Sequence, residues 1–67
     1  MNTLDIRKLG SCGYQLVEYR PGLREDIHLA STSIGEVLDA SQSILRKRKT
    51  SIKPSSSLRM FIESHGA

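Results

Sequence analysis

Tryptophan is absent, cysteine occurs once, proline twice, and Tyr14, Tyr19 and Phe61 are the only aromatic residues in a chain of 67. Each scarcity excludes something. A lone Cys12 cannot close an internal disulfide, so the chain is not a disulfide-stapled scaffold, and a reduced, cytoplasmic setting is expected. One cysteine and two widely separated histidines, His28 and His65, also lack the paired spacing from which metal sites are built, so neither a metal nor a cofactor is expected. With so few rings the core must be aliphatic. No apolar run approaches the roughly 20 residues needed to cross a bilayer, and Met1-Asn2-Thr3-Leu4-Asp5 lacks the basic-then-apolar opening of a signal peptide, so no membrane partner is expected.

Catalytic constellations are equally scarce. Cys12 with His28 or His65 is the sole nucleophile-and-base pairing, and Cys12 lies between Ser11 and Gly13 in an expected turn with nothing to raise its thiolate population. Gly10 and Gly13 precede a strand rather than a Lys-Ser pair or a helix start, which disfavours a phosphate-cradling loop. No catalytic residue is assigned, and the chain is expected not to be an enzyme.

What is present is best specified between Thr32 and Lys49. Ser33-Ile34-Gly35-Glu36 reads as a capping box, the Ser33 hydroxyl serving the Glu36 amide and the Glu36 carboxylate reaching back to the Ser33 amide. Ile34, Val37, Leu38, Ser41, Ile44 and Leu45 then recur at the spacing that lines one side of a helix, predicting a helix from Ile34 to about Lys49. Its early acids and terminal basic run oppose the macrodipole at both ends.

Upstream, Leu4 to Leu9 alternates loosely and suits a strand or a single helical turn before Gly10-Ser11-Cys12-Gly13. Tyr14 to Tyr19 is a better strand, ended by a turn in which Pro21 is pre-set and Gly22 is free to take positive φ. Glu25 to Ala30 alternates again and returns as a hairpin partner, with Ile27 and Leu29 on one face and Asp26, His28 and Ala30 on the other. Thr50 to Ser57 reads as a polar connector. Leu58 to His65 fits either a strand or, slightly better, a helix capped by Ser56 or Ser57 with Gly66 beyond its end. The expectation is one small α+β domain over residues 1–67: a two- or three-stranded antiparallel sheet packed on one amphipathic helix, with a short C-terminal helix or strand. Leu16, Ile27, Leu29, Ile34, Val37, Leu38, Ile44, Leu45, Leu58 and Ile62 form its expected core. Such a domain buries only about 60% of its extended-chain surface, so a partner or second copy would help complete it, and a homodimer is compatible with this reading.

The net charge of +3 is unevenly spread, with Arg46, Lys47, Arg48, Lys49, Lys53 and Arg59 clustered in the C-terminal third. These six are the candidate partner-binding residues. Dipole complementation alone would explain part of the run; a partner with an acidic or phosphate-bearing surface, either a larger protein or a ribonucleoprotein, explains it more fully. No aromatic is interleaved, as base stacking on a single strand would require.

Asp26 to Ala30, Ser33 to Arg48 and Ser57 to His65 resemble the strand-helix-helix order of ribbon-helix-helix repressors. That resemblance implies the alternative function, a dimeric nucleic-acid-binding regulator, although Asp26, His28 and Ala30 stand where such repressors carry groove-reading side chains. Ile6-Arg7-Lys8-Leu9 followed by Gly13-Tyr14-Gln15-Leu16-Val17 is similar to the opening of small mRNA interferase toxins of double-stranded-RNA-binding-like fold. The histidine of their catalytic stretch has no counterpart in Gly22-Leu23-Arg24-Glu25. In size and layout the chain also looks like small phage-encoded inhibitors, anti-CRISPR proteins among them, which implies a non-enzymatic inhibitor of a larger assembly.

Overall fold

The computed structural model describes residues 2–11, 13–22 and 24–65. Within them the order is β1 (Asn2–Lys8), β2 (Tyr14–Arg20), β3 (Arg24–Ser31), α1 (Ile34–Lys47), β4 (Ile52–Pro54) and α2 (Ser56–His65). The α+β class agrees with the expectation; the sheet is larger and mixed, with four strands in the order β3-β2-β1-β4. Leu4 to Leu9 resolves to a strand, and Cys12 and Gly66 lie outside the described residues.

The unexpected strand is β4, which pairs parallel with β1 inside the stretch read as a connector. Its only strongly apolar residue, Ile52, is buried. Three residues ending in proline leave no periodicity to read, and Pro54 suits a short edge. β3 runs in the same direction as β1 and β4, so the chain must cross back over the sheet, and α1 makes that crossing. Because β4 intervenes between the helices and β3 pairs with β2 of its own chain, the layout departs from the ribbon-helix-helix order.

Both helices pack on one face of the sheet. Leu4, Ile6, Leu16 and Ile52 from the strands meet Val37 and Leu38 of α1 and Leu58 of α2, with Ile34, Ile44, Leu45 and Ile62 packed against them. Ser41 is buried in the apolar stripe of α1 because its hydroxyl donates to the Leu38 carbonyl at 2.7 Å. Among the described residues no buried side-chain nitrogen or oxygen lacks a partner.

Ile27 is a correction: it is 57% exposed. The register shifts between Leu16 and Val17, so Leu29 pairs with Leu16 but Ile27 with Val17, leaving His28 as an inserted residue. Such a bulge breaks the two-residue alternation, sending Leu29 toward the helices and Ile27 to the open face. Val17 shares that open face yet is fully buried, flanked across the strands by Asp5 and Ile27.

The caps also differ from expectation. Ser33 accepts from the Glu36 amide at 3.4 Å, but its own amide donates to the Ser31 hydroxyl at 3.1 Å, so half of the capping box is replaced by a neighbouring serine. α2 is capped by Ser55 rather than Ser56 or Ser57: its hydroxyl accepts from the Leu58 amide at 3.1 Å and donates to Asp5 at 2.5 Å, which ties the helix start to β1.

Candidate functional site

The six basic residues picked out in the sequence do not form one patch. α1 has 14 residues and spans about 21 Å, close to the reach of the strand before it, so it carries its C-terminal end back to the start of β3. Arg46, Lys47 and Lys49 are exposed there. Lys53, opposite Thr3, belongs to the open face of the sheet, and Arg59 stands exposed on α2 beyond Ser55 and the β4 edge.

Arg48 has a different job. As the residue after the last helical turn of α1, it aims its guanidinium at Glu18 of β2, with Nη1 donating to Oε1 at 2.8 Å and Nη2 to Oε2 at 2.9 Å. Glu18 is fully buried and faces the helices, because it pairs directly with Leu4 in the alternation that buries Leu16. Two further donors complete its shell: Asn2 Nδ2 at 2.6 Å and His28 Nε2 at 2.8 Å. The bulge is what lets His28 reach it. The two guanidinium bonds outweigh desolvation and, with Asn2 and His28, hold the Glu18 carboxyl down at about 2; Glu18 in turn raises the pKa of Arg48. Only the carboxylate of this pair is buried, the Arg48 side chain being 37% exposed, and its two parallel bonds fix the geometry of the contact. The pair fastens the end of α1 to the middle of the sheet.

The fold brings two residues to this end that the reading of the sequence did not include. Arg20 closes β2 and Arg24 opens β3, and they pair directly across the hairpin, on the same side of the sheet as Glu18. Arg20 is bridged to Asp26 at 2.6 Å. Arg24 is exposed and, among the described residues, forms no ion pair; nor do Arg46, Lys47 and Lys49. The nearby acids are spoken for, Glu18 by Arg48, Asp26 by Arg20 and Glu25 by Arg7. Four free cations therefore crown one end of the molecule. Over the rest of the chain the acids Asp5, Glu36, Asp39 and Glu63 outnumber the bases Lys8, Lys53 and Arg59, so the net positive charge is a property of that end.

The signal for Arg20 and Arg24 was available. A Pro-Gly turn between two strands, followed by a helix of strand length, places the hairpin turn beside the helix C-terminus, and Gly22 adopts φ 86° there as the turn requires. Glu18 could also have been noticed, since alternation puts it on the face of Leu16, where a charge needs a partner.

The opposite end is apolar and aromatic. Tyr14 meets Phe61 edge-to-face at 6.1 Å between ring centres, and Phe61 stacks on His65 at 6.0 Å. The depression beside it, about 380 Å³ and lined among the described residues by Lys8, Ser11, Gly13, Tyr14 and Thr32, gathers no acid and base pair from these five. Among the described residues no three histidine, cysteine or carboxylate side chains converge as metal ligands, and no helix is long and apolar enough to cross a membrane. Comparison with known protein families, curated proteins and solved structures finds no match to the chain.

Proposed function

We propose that this chain is a non-enzymatic binding protein, in the manner of small phage-type inhibitors, that docks its cationic end on an acidic or phosphate-bearing surface of a larger protein or ribonucleoprotein and restrains it. The observation that carries this reading is the set of free cations, Arg24, Arg46, Lys47 and Lys49, held beside a buried anchor that spends Arg48 on Glu18. A solvated helix end needs no such anchor. Ordering a small domain is costly, and fixing the base of a charged surface lowers the further ordering cost of docking. Lys53 and Arg59 lie off this surface and contribute at most to its long-range field.

The test is capture. Immobilised protein should retain a macromolecular partner from cell extract at low salt, and the triple variant Arg46→Ala, Lys47→Ala, Lys49→Ala should lose it while keeping the parent circular dichroism spectrum. Undiminished capture by the folded triple variant overturns the proposal.

A further inference from the structure

We infer that the anionic feature this end recognises is the phosphate backbone of a nucleic-acid duplex, contacted without regard to sequence by Arg24, Arg46, Lys47 and Lys49; the inference rests on the docking reading above and names the chemistry of its partner. Three observations carry it.

The first is composition. The large hydrophobic residues exposed among the described positions are Leu9, Ile27 and Met60. Leu9 and Met60 belong to the aromatic end and Ile27 to the open face, so none of these three stands beside the free cations. Among the described residues the rest of the cationic end is supplied by Arg20, Pro21, Gly22, Thr50 and Ser51, all exposed, while Leu23, between Gly22 and Arg24 in the sequence, lies outside them. Protein interfaces have an apolar centre in which lysine is depleted. Surfaces that contact nucleic-acid backbones are polar and strongly positive, with arginine, lysine, serine and threonine donating to phosphate oxygens. In its described residues this end has the second composition.

The second is a local rule broken. Arg20 and Arg24 face each other directly across the hairpin, a placement in which like charges repel and weaken the pairing. Asp26 relieves Arg20 but leaves Arg24 uncompensated. A cost of that kind, beside a helix end that already supplies cations, marks a surface shaped by what it binds.

The third separates duplex from single strand. Tyr14 and Phe61 sit at the far end, the Tyr19 hydroxyl accepts from Arg7 on the open face at 2.8 Å, and the His28 ring is tied to Glu18 at 2.8 Å, so no tyrosine or phenylalanine ring is offered beside the cations for bases to stack on. Charge without stacking suits a paired backbone. Phosphate contacts of this sort position a protein and carry no base readout.

The experiment is fluorescence anisotropy of a short random-sequence duplex with the intact protein at about 50 and about 200 mM salt. Four neutralised phosphates predict an affinity loss of about 100-fold between the two conditions. Arg24→Ala should lower the salt slope by about one contact and the Arg46, Lys47, Lys49 triple alanine variant by about three, whereas Arg59→Ala, on α2, should leave it unchanged. Equal affinity for unrelated duplexes is expected. Absence of duplex binding at the lower salt, while capture from extract still depends on Arg46, Lys47 and Lys49, overturns the inference but leaves the docking reading intact and points to an acidic protein. Binding to vesicles containing phosphatidylserine in place of duplex overturns it as well. A salt slope indifferent to Arg24→Ala removes Arg24 from the surface. Capture indifferent to the triple variant defeats the docking reading itself, whatever the duplex does.

Discussion

The two ends of the sheet are held by different physics. At the aromatic end, Tyr14, Phe61 and His65 stack from β2 onto α2, and the turn before β2 packs directly against the end of β3. At the cationic end a buried carboxylate draws the end of α1, the start of β1 and the bulge of β3 onto β2 through four hydrogen bonds. The difference teaches where this chain can present charge. Repelling cations need a base that does not yield, and apolar contact among so few rings would not supply one at both ends. One arginine of the basic run is turned toward the sheet and tied to that carboxylate.

The largest way to break this comparison is at Arg48. Arg48→Ala leaves the fully buried Glu18 carboxylate without its two guanidinium bonds and should cost about 3 kcal/mol, read from urea denaturation. For a chain of this length total stability is of the order of 3 to 10 kcal/mol, so the variant should be extensively unfolded at modest urea. A loss below about 1 kcal/mol would mean that the ionic end is not anchored there.

A smaller contrast lies in the two turns. Gly13, at φ 151°, leaves no room for a side chain: a Cβ would stand 2.8 Å from the Ser31 carbonyl oxygen. Gly22, at φ 86°, has open space around it. Gly13→Ala should cost about 2 kcal/mol, by backbone clash added to strain, and Gly22→Ala about 1 kcal/mol, by strain alone. Equal thermal shifts for the two variants would show that the aromatic-end turn is not packed as described.

Acid offers the finest distinction. The Glu18 carboxyl binds its proton far less readily when folded, with its pKa lowered from 4.5 to about 2. The stability linked to it is thus complete above the ordinary value and is lost as pH falls from 4.5 toward about 2. Glu18→Gln should flatten that part of the profile of urea midpoint against pH. A variant as acid-sensitive as the parent would assign the acid response to other carboxylates.

Much of the fold was legible in local pattern. The helix from Ile34, the strand from Tyr14 and the Pro21-Gly22 turn each combine propensity with a clean boundary, so tertiary context had little to overrule. The rest depended on pairing between distant segments. β4 exists because Ile52 reaches the sheet beside Asn2, a contact fifty residues apart that no window along the chain contains. Ile27 was misplaced because one inserted residue inverts alternation, and a bulge has no glycine or proline here to announce it. The candidate surface was half visible: a basic run is obvious, but that Arg48 turns inward, or that Arg24 joins from across the hairpin, follows only when strand and helix lengths are laid side by side.

The bulge has one more effect, felt between molecules. A sheet with free margins invites other chains to add strands. One margin here is three residues long and ends in proline, and the other is bent by an inserted residue and begins with three charged side chains, Arg24, Glu25 and Asp26. Neither is a template for lateral growth. Crowding the protein should therefore leave it dispersed rather than drive it into fibres, even though so thin a core has little stability to spare.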